Sequence, residues 1–281
     1  MKILVITLES GENELSECKA SVQVAAQRYF DIVDHIVFSG LERYEADTAV
    51  YRKIEEECDS YSLFVKLDAD MKVSPDFFLK LYSYFRNNNG VSHLVLPVLD
   101  VLSASDIIGL HVFTNDVRWH GLDSKSSIYV DPDPQLLKGK RVIESHFFQG
   151  DVEHCFNPSE AQAYYYGVHR GVKFFSPRVN VRRLSSRYLQ FDLFHAVKKQ
   201  LMSGKGKHKE RELFMIGVYH AKVLSESELF ELLEKKKVVD SIPVTPHDNG
   251  FYPFLNNKSF WLPHCFVAIL LNILRRMLLG R

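Results

Sequence analysis

The chain has 281 residues, which suits one large α/β domain or a domain with an appendage. Apolar residues make up 46% of the chain and aromatic residues 12%, so an intrinsically disordered protein is excluded. The 35 basic residues balance the 35 acidic ones, so the chain has no net positive field for nucleic acid. Any anion binding must therefore be local.

The cysteines are scattered singly and form no Cys-x-x-Cys pair, which argues against a structural zinc site and a disulfide framework. We therefore expect a reducing, cytoplasmic location. The first apolar stretch, Ile3 to Leu8, is too short for a signal peptide and lacks a small-residue cleavage site. Its β-branched residues predict a first strand of a parallel sheet instead.

The first 70 residues alternate between strand and helix patterns. Apolar spacing predicts a helix over 14–29, a strand over 34–40, a helix over 46–58 and a strand over 63–67. Such alternation implies right-handed crossovers and a mainly parallel, open sheet flanked by helices. Neither a dinucleotide-binding glycine motif nor a P-loop is present, so those two nucleotide-binding classes lose their main support.

Two carboxylates, Asp68 and Asp70, directly follow the apolar run 63–67. Open α/β sheets bind ligands at the carboxyl ends of strands, and two close oxygen donors suit Mg²⁺ or Mn²⁺ with a substrate diphosphate. Residues 74–78 then predict the start of a helix that runs to Arg86. The segment predicts a site for a metal diphosphate, and a solvated acidic turn that caps the helix is the alternative.

In this order of strand, Asp-Ala-Asp and helix, residues 63–78 resemble the metal-binding turn of family-2-like glycosyltransferases with a GT-A fold. The resemblance covers about residues 1–175. It implies a GT-A-like α/β fold, a nucleotide-diphosphate sugar as donor, and Mn²⁺ or Mg²⁺ as cofactor. It also implies that the first loop borders the nucleotide, so Glu9 joins Asp68 and Asp70 as a candidate donor contact. A plain solvated loop is the alternative for Glu9.

The same family commonly supplies a histidine as a third metal ligand, well after the Asp-x-Asp turn. His154 stands in a stretch that resembles the corresponding segment, so the resemblance implies a metal site of Asp68, Asp70 and His154. An imidazole ligand suits Mn²⁺ better than Mg²⁺. A histidine with ordinary hydrogen-bond partners is the alternative.

The run from Asn157 to Glu160 has the pattern of a capping box and predicts a helix through Lys173. Helical spacing places Arg170 and Lys173 on one face of it, where their cations could contact the donor diphosphate.

Beyond Arg86, residues 93–99 predict a buried strand. Residues 106–119 predict strands that border the acceptor site. Residues 123–140 predict a turn-rich loop, which is either a lid or a plain loop.

Inverting members of the family use an acidic general base in a Glu-Asp type motif, and no such pair stands between residues 71 and 153. The candidates are Asp116, Asp151 and Glu153. We assign the catalytic role to Asp151 and Glu153 because they precede His154, and an ordinary surface carboxylate is the alternative for each. Inversion of configuration is implied by the resemblance alone.

The sequence pattern changes in the last third of the chain, which we expect to lie partly outside the catalytic domain. Residues 178–211 are rich in lysine and arginine and could hold phosphate groups or serve as a solvated linker. Two helices follow, over 213–224 and 226–237. We place the boundary between a catalytic domain, 1–212, and a helical C-terminal extension, 213–281.

The uncharged run from Ser259 to Leu274 is shorter than the roughly 20 residues that span a bilayer, and Arg275 and Arg276 follow it. A narrow polar face on an otherwise apolar segment predicts that residues 259–281 lie in a membrane interface. Packing of this segment on the protein itself or on a second subunit is the alternative.

The resemblance implies a glycosyltransferase, and the C-terminal segment predicts that it lies on the inner face of the cell membrane. It would move a sugar from a nucleotide-diphosphate donor to a hydroxyl group of a lipid-linked or cell-surface glycan, with a metal ion and without nucleic acid. Two other classes stay open. One is a nucleotidyltransferase or metal-dependent phosphohydrolase, and the other is a non-catalytic, membrane-bound scaffold of a glycan assembly complex.

Overall fold

The structure, a computed structural model, describes residues 1–41, 43–120, 135–138, 140–144, 146–175, 181–204, 206–234 and 254. The chain divides by its contacts into two compact units. The first unit comprises Met1–Val101, Ser105–Ser127 and Asp131–Pro158. The second comprises Leu102–Ala104, Ile128–Val130 and Ser159–Arg281.

The first unit begins with the predicted alternation of strands and helices. Its elements are β1 (Ile3–Glu9), α1 (Leu15–Arg28), β2 (Val33–Ser39), α2 (Arg43–Glu56), β3 (Leu63–Asp68), β4 (Met71–Val73) and α3 (Phe77–Asn87). Strand β1 lies between β2 and β3 and is parallel to both. The carboxyl ends of these three strands therefore meet at one edge of the sheet.

In the described residues, the rest of the first unit adds six strands. They are β5 (Val91–Asp100), β6 (Ser105–Thr114), β7 (Arg118–His120), β8 (Gln135–Lys138), β9 (Lys140–Ile143) and β10 (Val152–His154). The main sheet has the order β2-β1-β3-β6-β5-β10-β4, with β9 paired to β5, while β7 and β8 pair separately. Strand β6 is antiparallel to both its neighbours, and β10 is parallel to β5 but antiparallel to β4. The predicted α/β class is confirmed, with a mixed sheet flanked by helices.

The alternating residues of β1 explain why helices cover both faces of the sheet. Ile3 and Val5 pack into a core shared with α1 and α3, whereas Leu4 and Ile6 pack into a core shared with α2. Successive side chains of a strand point to opposite faces, so an unbroken apolar run requires an apolar layer on each side. Each fully buried aliphatic side chain contributes about 1.5 to 3 kcal/mol.

The second unit is helical in its described part. Its helices are α4 (Glu160–Phe175), α5 (Val181–Met202), α6 (His208–Val223) and α7 (Glu226–Glu234). Helices α4 and α6 approach so closely that a Cβ added at Gly167 would lie 1.9 Å from the carbonyl oxygen of Phe214. Glycine permits this contact between the two backbones. The same two helices are also joined by a hydrogen bond of 2.8 Å between the Tyr164 hydroxyl and Nδ1 of His220.

The predicted start of α4 is wrong by two residues. Ser159, not Asn157, forms the capping box: its Oγ accepts the Gln162 N–H, and the Gln162 side chain accepts the Ser159 N–H. The backbone N–H of Asn157 donates instead to Oε1 of Glu14 at 3.0 Å. The N–H of Asn157, which the capping-box pattern assigned to the start of the helix, therefore binds a residue that is distant in the sequence.

Several predictions concern parts of the chain that are only partly described. The turn-rich loop 123–140 lies mostly outside the described residues, but 135–138 form strand β8 rather than a turn. The proposed membrane-interface segment 259–281 lies wholly outside them. Among the described helices, none has both the length and the apolar character needed to cross a membrane. The boundary after residue 212 stays a prediction, whereas the contacts divide the chain at 158/159.

Candidate metal and donor site

The two carboxylates of the Asp-Ala-Asp turn lie at the carboxyl edge of the parallel strands. Strand β3 ends at Asp68, and Asp70 is in the turn that leads to β4. The N–H of Ala69, between them, donates to the carbonyl of Leu8 near the end of β1 at 2.9 Å. The turn is thus attached to the edge at which open α/β sheets bind their ligands.

A buried histidine links the turn to a third strand end. Strand β10 pairs with β4 and places His154 opposite Met71. Nε2 of His154 lies 3.3 Å from Oδ2 of Asp70, and Nδ1 lies 2.8 Å from Oδ1 of Asp100. An ionised carboxylate can only accept hydrogen bonds, so Asp100 keeps the proton on Nδ1. Nε2, which faces Asp70, is then the nitrogen that would bind a metal once it carries no proton, as in carboxylate–histidine–metal arrangements.

The residues fit a divalent cation. Oδ1 of Asp70 is buried and has no hydrogen-bond partner among the described residues. A buried carboxylate oxygen without a partner is costly, and a cation would remove that cost. A carboxylate oxygen of Asp70, a ring nitrogen of His154 and Sγ of Cys155 all lie within 4.8 Å of one another. Within the described part of the chain, Asp68 does not belong to this group, so its role as a ligand stays a prediction.

The electrostatics of the turn also favour a cation. Burial raises the pKa of Asp68 to about 6, although Lys66 opposes the shift. Burial likewise raises the pKa of Asp70, opposed by His154 and reinforced by Glu12. In both cases burial makes the ionised form of the carboxylate less favourable than it is in water. A divalent cation would offset this unfavourable energy.

Both predicted catalytic carboxylates are engaged by lysines. Asp151 is buried, with Oδ2 at 2.6 Å from Nζ of Lys80 and Oδ1 accepting from the Ser74 hydroxyl at 2.7 Å. Glu153 is more exposed, and its Oε2 lies 2.7 Å from Nζ of Lys72. The catalytic role of each stays a prediction, and Glu153 has the more accessible carboxylate of the two.

The remaining predicted donor contacts have other local partners. Oε1 of Glu9 accepts the N–H of Gly11 at 2.6 Å, which shapes the loop after β1. Arg170 and Lys173 lie on α4 in the second unit, where the guanidinium group of Arg170 stands 4.9 Å from the centre of the Tyr166 ring. Donor binding by these three residues stays a prediction.

Sequence reasoning missed two residues of the site, Asp100 and Cys155. Asp100 directly follows the apolar run 93–99, just as Asp68 follows the run 63–67, and this shared pattern was the available signal. Cys155 is adjacent to His154, but a lone cysteine carries no pattern of its own. Its side chain is 1% exposed, and its backbone has a left-handed φ of 54°.

Comparison with solved structures gives distant similarities. No protein-family model matches the chain, and no curated protein matches it. Among solved structures, it is similar to a glycosyltransferase involved in the glycosylation of the major capsid of PBCV-1. That match has 14% identity and a TM-score of 0.30, and it covers 41% of this chain and 61% of that chain, less than two thirds of it.

The chain is also similar to two structures of TarS from S. aureus. The match to TarS 1-349 has 10% identity and a TM-score of 0.36, and it covers 87% of this chain and 93% of that chain. The match to a longer TarS structure has 11% identity and a TM-score of 0.35, and it covers 92% of this chain and 55% of that one. At these TM-scores, the similarities carry no argument about activity.

Proposed function

We propose that the protein is a metal-dependent glycosyltransferase whose first unit binds a nucleotide-diphosphate sugar. The observation that carries the proposal is the Asp70 carboxylate at the carboxyl edge of the parallel strands. Its Oδ1 is buried and has no hydrogen-bond partner within the described part of the chain, and its Oδ2 faces a histidine whose other nitrogen is held by Asp100. This arrangement suits a cation that binds a diphosphate, and the resemblance of residues 63–78 to the glycosyltransferase turn directs the proposal to sugar transfer.

In this proposal Asp70 and His154 hold the cation, with Asp68 assigned to the same donor site. When bound, Mn²⁺ or Mg²⁺ supplies positive charge that stabilises the leaving diphosphate. Asp100 keeps the proton on Nδ1 of His154, so that the imidazole stays oriented toward Asp70. The protein thereby fixes the position at which the diphosphate leaves.

The acceptor hydroxyl must lose its proton as it attacks the anomeric carbon in an inverting reaction, and a carboxylate serves as general base. Both oxygens of Asp151 are engaged, by Ser74 and by Lys80. Glu153 forms an ion pair with Lys72 and is partly exposed. We therefore favour Glu153 as the base.

The acceptor is proposed to be a hydroxyl group of a lipid-linked or cell-surface glycan. The enzyme is proposed to work in the cytoplasm on the inner face of the membrane, through the segment 259–281. The support for this part is the apolar pattern of that segment in the sequence. Removal of the segment is expected to leave donor binding intact and to reduce transfer to a lipid-linked acceptor, measured with acceptor in vesicles.

Donor binding tests the proposal most directly. The full-length protein is stripped of metal with a chelator, and its thermal unfolding is measured with UDP-, GDP-, dTDP- and CMP-sugars, with and without Mn²⁺. We expect one nucleotide class to stabilise the protein only when the metal is present. A ligand at about 100 times its Kd adds about 2.7 kcal/mol to the free energy of unfolding.

Asp70→Asn should abolish this metal-dependent stabilisation, whereas Asp59→Asn, which changes an exposed carboxylate, should retain it. The products identify the reaction class. A transferred sugar and a nucleoside diphosphate support glycosyl transfer, whereas a sugar phosphate and a nucleoside monophosphate indicate a phosphohydrolase. Stabilisation by a nucleoside triphosphate alone would indicate a nucleotidyltransferase, and binding of none of these ligands would favour the scaffold.

A further inference from the structure

We propose that Cys155 is the third protein ligand of the metal site, so that the site takes a thiolate-binding transition-metal ion such as Zn²⁺ or Co²⁺ in preference to Mg²⁺. This inference rests on the proposed metal site at Asp70 and His154. It adds a ligand and the class of metal that this ligand selects.

The geometry brings the three ligand atoms within reach of one ion. Sγ of Cys155, a carboxylate oxygen of Asp70 and a ring nitrogen of His154 all lie within 4.8 Å of one another. In a four-coordinate, tetrahedral site with bonds of about 2.0 to 2.3 Å, the ligand atoms lie about 3.3 to 3.8 Å apart. A bound ion would therefore draw the three ligand atoms together by no more than about 1.5 Å.

The backbone holds Cys155 in this place. Its N–H donates to the carbonyl oxygen of Asp70 at 2.9 Å, which extends the pairing of β10 with β4 by one residue. Its φ of 54° is in the left-handed region, which a residue with a Cβ rarely adopts. A glycine would suit this backbone better, so the structure keeps a thiol here in spite of the unfavourable conformation. Such strain is often found at functional sites.

The donor set determines the choice of metal. A site with one oxygen, one nitrogen and one sulfur ligand is a poor match for Mg²⁺, which prefers oxygen ligands, and a good match for Zn²⁺ or Co²⁺. Three protein ligands leave a fourth position for a substrate oxygen, as in catalytic zinc sites. Binding converts the thiol of Cys155 to a thiolate, and its proton passes to the solvent.

Cobalt provides a direct test on the full-length protein. After removal of metal with a chelator, Co²⁺ is titrated and the absorption spectrum recorded. We expect a thiolate-to-cobalt charge-transfer band in the near ultraviolet that saturates at one ion per chain. Cys155→Ser should remove this band and weaken Zn²⁺ binding by more than about 100-fold, because losing a ligand outweighs losing a partner that only orients one. Mg²⁺ binding should change little.

Cys18→Ser is the matched control. Cys18 is buried beside the same turn, with its thiol 3.9 Å from the carbonyl oxygen of Asp68. Among the described residues, Cys18 does not belong to the cluster formed by Asp70, His154 and Cys155. The charge-transfer band should persist in Cys18→Ser. If the band depends on Cys18, or is absent from the wild type, the assignment of Cys155 is wrong.

Two further measurements keep the test decisive if Cys155→Ser does not fold. Cys155→Gly suits the left-handed backbone and also removes the thiol, so it should fold and lack the band. X-ray absorption of the zinc-loaded wild type should show a sulfur neighbour at about 2.3 Å. A zinc shell of oxygen and nitrogen alone would overturn the proposal.

The outcomes separate this inference from the proposed function. If Mn²⁺-dependent donor binding requires Asp70 and His154 but survives Cys155→Gly, the glycosyltransferase proposal stands and the sulfur ligand is wrong. If the thiolate band is present but no nucleotide sugar binds, the metal site stands and the proposed function fails.

Discussion

Replacing Asp100 tests whether His154 is prepared as a metal ligand. Asp100 is fully buried, and its Oδ1 lies 2.8 Å from Nδ1 of His154, whose Nε2 faces Asp70. Asp100→Asn keeps the shape of the side chain but removes its negative charge. The amide could also donate to Nδ1, which would move the imidazole proton to Nε2 and remove the lone pair that the proposed metal ion would use.

Loss of such an orienting partner lowers metal affinity by about 10 to 100-fold, which corresponds to about 1.4 to 2.7 kcal/mol. Titration calorimetry of the metal-free protein with Mn²⁺ measures this change. The matched control is Asp106→Asn, since Asp106 pairs with Leu99 on the neighbouring strand and is exposed. The control should bind Mn²⁺ like the wild type.

The alternative is a protonated His154 that bridges two carboxylates without any metal. In that case Asp100→Asn would lower the unfolding temperature by the same amount with and without Mn²⁺. Mn²⁺ affinity within about threefold of the wild type, in a variant that is folded, would refute the reasoning. His154→Ala then serves as the second variant, because it should abolish Mn²⁺ binding only if the imidazole is a ligand.

Three other substitutions test the fold and the charges around the site. Gly167→Ala should lower the free energy of unfolding by about 3 kcal/mol or more, because its Cβ would lie 1.9 Å from the backbone of Phe214. Denaturant titration measures this change, and an unchanged midpoint would contradict the close approach of α4 and α6. Burial lowers the pKa of His35 from 6.5 to about 4 in the folded protein. Between pH 6.5 and pH 4, the unfolded chain therefore binds a proton at His35 more readily than the folded protein does. Stability should therefore fall by about 2 kcal/mol as the pH falls from 6.5 to 4, and His35→Gln should flatten this dependence in thermal unfolding. Asp151→Asn should lower the unfolding temperature because Lys80 loses its partner, whereas loss of transfer at unchanged stability would indicate that Asp151 is the base after all.

The sequence by itself determined the local elements of the first unit. The unbroken apolar run of β1 required a strand covered on both faces, and the positions of Asp68 and Asp70 after a second such run placed two carboxylates at a strand end. These features depend on neighbouring residues, since the periodicity of a strand or helix is a property of a few successive side chains.

The tertiary structure decided which distant residues join that turn. β10 lies between β5 and β4, and this strand order brings His154 to Asp100, 54 residues away in the chain, and to the Asp-Ala-Asp turn. Similarly, Glu14 binds the N–H of Asn157 across 143 residues, and the helix cap passes to Ser159. A local pattern does not encode such pairings, because strand order and register depend on the apolar area buried by the whole sheet and on the entropy of closing the long loops between the strands.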